Sequence, residues 1–326
     1  MKTTRFNFVF LFFLLVSVLS SCGEKYTEHE WEWNDEKKDK NPNVVELGWI
    51  PETSFGELPD YLSVYKAPDL LKGKKAVAYI AIADMNKASF SVLGESKGYK
   101  TPAQFYAQES LPIIMNAGYF WDGSSLSLVC RDGKVICPNA QTASKDWVTI
   151  YYPTRGFLGL MNDGTFQVAW SYTASDATYV YPIPSDNKFG DTPKPVPSST
   201  YPAGGGVINV HTAIGGGPVL LKNGEIKNHY DKELLEISAA SSQPRSAVGV
   251  TNDKKIIFFV CEGRNMTPSV PGYTTAEVAE IMQSLGCTDA INLDGGGSSC
   301  MLVNGKETIK PSDGKQRLVV TAIGLK

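Results

Sequence analysis

The stretch Asn292-Leu293-Asp294-Gly295-Gly296-Gly297-Ser298-Ser299 places one carboxylate, three consecutive glycines and two hydroxyls within eight residues. Three glycines in a row carry a high backbone entropy cost, so a loop built this way serves a shape that a Cβ would forbid. Backbone N–H groups freed of side chains can point into one concavity and hold a phosphate or carboxylate, with Ser298 and Ser299 as further donors. A tight turn between two buried strands is the other use of the same residues. Arg245, in Gln243-Pro244-Arg245-Ser246-Ala247, stands at the mouth of an apolar run, where its planar fork can grip an oxyanion bidentately. Glu262 and Arg264 follow a second such run, Ile256 to Cys261, and deliver a carboxylate and another guanidinium to its end. Asn116 closes Ile113-Ile114-Met115 just ahead of Gly118, and its amide can donate and accept at once, as a sugar hydroxyl or an oxyanion requires. Tyr119 and Phe120 beside it form an aromatic wall.

Further residues could join them. His211-Thr212-Ala213-Ile214-Gly215-Gly216-Gly217-Pro218 holds a second glycine triplet, with Gly216 at its centre, and one of three histidines. His211 could act as acid or base near neutral pH, but it lies several residues from the glycines, and a structural histidine is the commoner case. Thr274 with Glu277 makes a capping box, so the helix beginning at Thr275 offers a second seat for an anion at its N-terminus. Cys300 carries the group for a nucleophile, yet nothing ties a base to it, and it is read as a packing residue.

The elements that must position these groups are mostly strands. Tyr61 to Lys66, Ala76 to Ala83, Trp147 to Tyr152, Phe157 to Met161 and Thr165 to Trp170 alternate or run apolar, and Asn162-Asp163-Gly164 and Asn223-Gly224 mark hairpin turns. Thr101 with Pro102 opens a short helix. In the later helix Val278, Ile281, Met282 and Leu285 recur at core spacing before Gly286. Strands outnumber helices and most connections look like hairpins, so the expected fold is α+β: a mixed, largely antiparallel sheet with a few packed helices. Pro182 to Gly206 is rich in Pro, Ser, Asp and Gly and is expected to be a lid or a disordered insert bordering the site.

With 31 Lys and Arg against 34 Asp and Glu, no basic excess is present to recruit a nucleic-acid backbone. Lys2 and Arg5, the apolar run Phe6 to Leu19 and Leu19-Ser20-Ser21-Cys22 resemble a bacterial lipoprotein signal. That resemblance implies residues 1–21 as signal peptide, lipid on Cys22 and a membrane tether over 22–43, leaving one domain over 44–326 at the periplasmic or outer face. Of the other cysteines, Cys130 and Cys137 flank a hairpin; a bridge and two buried thiols are both open there.

Taken in order, Asn116-Ala117-Gly118-Tyr119-Phe120, Gly215-Gly216-Gly217-Pro218, Pro244-Arg245-Ser246-Ala247, Glu262-Gly263-Arg264, Thr275-x-Glu277 and Asn292 to Ser299 resemble the phosphodiester glycosidase family, over roughly residues 75 to 326. The resemblance implies hydrolysis of a sugar-1-phosphodiester, with a glycan or sugar-phosphate as substrate. It points to Asp294, Glu262 and Asn116 as catalytic, and to Arg245, Arg264, Gly216, Gly295, Gly296, Gly297, Ser298, Ser299 and Thr275 as substrate-binding. Glu262 stands where members usually carry aspartate, and Cys300 where threonine is common. Such a reaction needs cations and N–H donors for phosphate and a carboxylate to assist water or steady an oxocarbenium-like carbon. The resemblance implies no definite cofactor. A divalent cation on Asp294, Asn116 and Glu262 is a rival reading, and a non-catalytic carbohydrate-binding lipoprotein is another.

Overall fold

A computed structural model describes residues 40–175 and 177–326, which gather into one compact unit. The signal peptide, Cys22 and the tether up to residue 39, with Trp31 and Trp33, lie outside the described residues.

Three antiparallel sheets share one core. The largest runs in the order Ile50–Pro51, Leu62–Lys66, Ala78–Asp84, Lys255–Cys261, Arg245–Thr251, Cys287–Asn292, Val219–Lys222, Glu225–Ile226. A five-stranded sheet centres on Ile113–Asn116 between Met301–Val303 and Thr321–Leu325. A seven-stranded sheet centres on Arg155–Met161 between Val210–Gly215 and Phe166–Thr173. Every strand pair among the described residues is antiparallel, so the mixed sheet expected from the sequence is not found; strand makes up 38% of the chain and helix 9%, a fold that is mostly β.

The burial pattern explains the apolar runs. In Lys255–Cys261, Ile256, Phe258 and Val260 enter the core shared by the three sheets. Ile257, Phe259 and Cys261 face the other way, onto Val278, Ile281 and Met282 of the helix Thr275–Ser284. A strand covered on both faces has no polar side to show, hence its unbroken apolar sequence. The capping box of Thr274 with Glu277 forms, and the N-cap Thr101 makes a second one with Gln104. Asn223 and Gly224 take φ of +52° and +79°, the left-handed pair that a two-residue hairpin turn demands.

Two expected elements differ. Trp147 to Tyr152 is not a strand, because the Asp146 carboxylate accepts the N–H groups of Val148 and Thr149 and closes a turn in their place. Pro182 to Gly206 is pinned along its length: Ser185 and Thr154 exchange hydrogen bonds of 2.9 and 2.8 Å, the buried Asn187 donates to Tyr152 O, and the Tyr151 hydroxyl donates to Asp191 O and accepts from Gly190 N–H. It is a fixed wall. Cys130 and Cys137 are free buried thiols, since a bulge sets Cys137 opposite Val129 and Cys130 opposite Val135.

Candidate active site

Strand pairing assembles the site. Ala247 is registered against Asn292 in antiparallel neighbours, so Arg245, two residues before one, and Asp294, two residues after the other, emerge at the same sheet end. Arg245 is also registered against Cys261, which brings Glu262-Gly263-Arg264 to that end. There a cavity of about 320 Å³ is lined by Tyr119, Gln243, Arg245, Arg264, Asp294, Gly295 to Gly297, Arg317 and the segment Glu236 to Ser238.

Asp294 faces the cavity from a braced backbone. Its N–H donates to Ala117 O at 2.8 Å and its carbonyl accepts from Asn116 Nδ2 at 2.6 Å. Burial pushes its carboxyl up to about 6, against the opposing pull of the Ser298 hydroxyl, the Arg317 charge and the Gly295 N–H. The glycines then curl through a single 3-10 turn, Gly296–Ser298. Gly296 sits at φ +59°, where a Cβ would come within 2.9 Å of the Arg264 guanidinium; one on Gly297 would collide with Arg317 and Asp313. The triplet therefore lets arginines close over the loop.

Arg245 is 2% exposed, and its guanidinium donates to the carbonyls of Tyr273, Ile237, Ser238 and Ser241 at 2.9, 3.4, 2.8 and 2.9 Å. Among the described residues no carboxylate pairs with it, and burial pushes its pKa down. The buried cation is thus compensated by carbonyl dipoles alone, on the wall of an open cavity. Arg264 is half-exposed, held by Gln243 Oε1 at 2.8 Å. Arg317 donates to Ser298 Oγ at 3.3 Å and forks onto Asp313 Oδ2 at 3.0 and 2.6 Å. The Tyr119 hydroxyl donates to Gly217 O at 2.6 Å and accepts from Asn292 Nδ2 at 2.8 Å; burial, then the nearby Asp294, holds its pKa far above the usual phenol range.

Several expected site residues stand behind this wall. Asn116 is fully buried, and its Oδ1 accepts from Ser246 Oγ and Cys300 N–H at 2.7 and 3.1 Å, so its amide joins three strands and supports Asp294 from below. Glu262 is buried with one oxygen accepting from Thr267 N–H at 3.1 Å and the other from Lys310 N–H at 3.0 Å; it clamps two loops and does not line the cavity. Gly216 is packed against Asn292 O, and its N–H donates to Gly156 O. Thr275 is buried, its N–H and its hydroxyl both donate to Ala239 O, and it does not line the cavity. Ser298 reaches Asp294 from beneath, while Ser299 is buried and its hydroxyl has no partner among the described residues. Phe120 packs away with Tyr99, His211 is exposed beside Asp132, and the buried Cys300 thiol is pushed well up.

These placements bear on the divalent cation. Glu262 and Asn116 spend their oxygens on N–H and O–H donors and do not converge with Asp294. Among the described residues no group of three or more His, Cys, Asp and Glu is placed to hold an ion. The donor set does not fit.

Three groups escaped the sequence reading. Arg317 lies in a polar loop with no periodicity, Glu236 lines the cavity from a segment without motif, and Glu233 is buried under the Gly216-Gly217 turn. Glu233 accepts from Val219 and Gly156 N–H at 2.8 and 3.0 Å, and burial pushes it up to about 7.

Known proteins resemble this chain in sequence and in fold. A segment of 80 residues, 24% of the chain, is 38% identical to the SPbeta prophage-derived uncharacterized protein YomE of Bacillus subtilis and covers 12% of that protein. The catalytic domain of zebrafish N-acetylglucosamine-1-phosphodiester alpha-N-acetylglucosaminidase, auto-inhibited by its pro-peptide, superposes with a TM-score of 0.57 at 20% identity, over 83% of this chain and 85% of that one. A hypothetical protein from Synechocystis gives 0.56 at 17% identity, over 82% of this chain and 62% of the other. At such identities the two structures share the fold. Residues 110–326, which include every residue lining the cavity, match the model of the phosphodiester glycosidases, and the chain belongs to that family.

Proposed function

We propose that this protein hydrolyses a sugar-1-phosphodiester, releasing the sugar from its phosphate. The observation that carries the proposal is Arg245, a buried guanidinium with no carboxylate partner among the described residues, sharing one cavity with Asp294. A phosphodiester is a permanent monoanion at neutral pH. It would complete the ion pair that Arg245 lacks, with Arg264 and Arg317 closing over its other oxygens. Phosphate leaves readily and needs little protonation, so the work left for a side chain is to activate water or to steady positive charge at the sugar C1. Asp294 faces the place where that charge develops. Incubation with a chromogenic sugar-1-phosphodiester tests the reading: hydrolysis insensitive to chelator supports it. Binding without turnover would make the protein a carbohydrate binder.

Asp294 must be ionised in either role. Its carboxyl is raised to about 6, so the active form is lost as pH falls through that value. The expected kcat/KM profile therefore rises with pH, with an apparent pKa near 6, and levels off above 7. A profile that falls across pH 5–7 would recast Asp294 as a proton donor.

We further propose that the protein is exported and held at the membrane by lipid on Cys22, with the enzyme domain at the periplasmic or cell-surface side. The lipobox-like Leu19-Ser20-Ser21-Cys22 supports this, and no helix among the described residues is long and apolar enough to cross a membrane. Cys22→Ser should abolish incorporation of labelled fatty acid and release the protein from the membrane fraction; a variant that stays labelled removes the anchor.

A further inference from the structure

Near the cavity, three segments join into one surface. Phe120–Trp121 and Ser124–Ser125 pair as a short hairpin, turned by Asp122 and Gly123 at φ of +43° and +69°. Residues 97–100 run beside it. Lys97 bridges to Ser124, Gly98 N–H donates to Gly123 O at 2.8 Å, and the Tyr99 ring packs so closely on Gly123 that a Cβ there would stand 3.0 Å from it. Lys100 exchanges backbone hydrogen bonds of 3.0 and 2.9 Å with Val319, the residue after Leu318. Tyr119, just before the hairpin, and Arg317, just before Leu318, both line the cavity.

This surface shows large apolar groups to solvent. Trp121 is 76% exposed, and Tyr99 and Leu318 are each 47% exposed. Backbone pairing holds all three segments, so the display is built into the fold and is not a frayed end. The charge around it is positive, in a chain whose net charge is −3. Lys97, Lys100 and Lys315 have no carboxylate partner among the described residues, whereas Glu95 pairs with Arg131 and Asp313 with Arg317. Asp122 is the one carboxylate of these segments left unpaired. Trp147 offers a contrast: it is more exposed, at 91%, but its neighbours are Asp146 and a Lys145 already paired with Glu236.

Trp, Tyr and Leu among unpaired lysines match the headgroup region of an anionic bilayer. The rings lodge at the ends of the acyl chains, and the ammonium groups stay with the phosphates. A second copy of this chain fits less well, because a two-fold contact would set the lysines of one copy against those of the other. A neutral glycan would have no use for the lysines. We propose that this surface docks the protein on an anionic phospholipid bilayer, with Trp121 inserted and Lys97, Lys100 and Lys315 on lipid phosphates, and so holds the cavity at the level of the headgroups. Docking is separate from lipid on Cys22. An anchor sets how often the domain meets the bilayer, whereas this surface sets which side it presents.

The full chain mixed with vesicles tests the proposal. Its tryptophan fluorescence is followed on vesicles of phosphatidylglycerol whose acyl chains carry bromine, a contact quencher, and on vesicles of brominated phosphatidylcholine. The difference between wild type and Trp121→Phe isolates Trp121 from the other tryptophans and from any contribution of the N-terminus. Quenching of Trp121 is expected on phosphatidylglycerol and should be about fivefold or more weaker on phosphatidylcholine. Lys97→Glu combined with Lys315→Glu should lower it about tenfold or more on phosphatidylglycerol, and raised salt should weaken it. Trp147→Phe should leave it unchanged. No quenching assigned to Trp121, equal quenching on the two lipids, quenching untouched by the lysine reversals, or its loss in Trp147→Phe would overturn the docking surface. A dimer that forms without vesicles and is lost in Trp121→Ala would also overturn it, by making the patch a contact between copies. These readouts use neither turnover nor lipid on Cys22, so the hydrolase and anchor readings stand or fall by their own experiments.

Discussion

Asp294→Asn is expected to lower kcat/KM by about 10³-fold or more, because it removes the one carboxylate that a braced backbone aims into the cavity. The amide keeps the shape and can still accept from Ser298 and the Gly295 N–H, so loss of rate would report loss of charge and not of fold. The stability prediction has the opposite sign. A carboxyl whose folded pKa is raised from 3.8 to about 6 is ionised less willingly in the folded protein than in the unfolded chain. Its charge therefore destabilises the fold, fully above pH 6, and the penalty fades as pH falls from 6 toward 4. Asp294→Asn should melt at or above the wild-type Tm at pH 7.5, with the difference closing near pH 4.5. Stability set aside for activity is the expected mark of a catalytic carboxylate. A variant that turns over substrate at the wild-type rate would take Asp294 out of the mechanism, and one that melts lower at pH 7.5 would mean its charge serves the fold.

Much of the frame around Asp294 was legible in the chain because the signals are local. A capping box needs four residues, a hairpin turn two, and an apolar run covered on both faces shows in seven. Arg245 and Gly295 to Gly297, which line the cavity, were visible for the same reason: type and immediate neighbours mark them. Asn116 and Glu262 were read as catalytic from their strand-end positions, and neither lines the cavity; a polar residue at a strand end looks the same whether it points outward or inward. What decides is the partner, and those partners are distant in sequence: Asp294 O and Cys300 N–H for Asn116, Lys310 N–H for Glu262. Arg317 illustrates the converse. Its role depends on the glycines at 296 and 297 leaving room for guanidinium groups above the loop, which no reading of its own neighbours discloses. The proline-rich segment was expected to be a lid or disordered on composition alone. Its order comes from Tyr151, Tyr152 and Thr154, whose bonds to it span roughly thirty to forty residues.

Arg245 should show the second large effect, and here the charge and the fork can be told apart. Arg245→Ala removes the buried cation and is expected to cost about 10³-fold in kcat/KM, mostly through KM if phosphate is gripped equally before and during bond breaking. It also orphans the carbonyls of Tyr273, Ile237, Ser238 and Ser241, so a loss of about 2–3 kcal/mol in stability should accompany it. Arg245→Lys keeps a positive charge but offers three donors from one point, too few to satisfy four carbonyls and a phosphate together. Its expected activity lies between the two, about tenfold to a hundredfold below wild type. Inorganic phosphate supplies a readout free of turnover. It should compete with substrate in the wild-type protein, lose that ability in Arg245→Ala and regain part of it in Arg245→Lys, and the competition should weaken as salt is raised. Undiminished inhibition by phosphate in Arg245→Ala would assign the anion to Arg264 and Arg317 instead, leaving the buried guanidinium as a fastener for the backbone from Ile237 to Ser241.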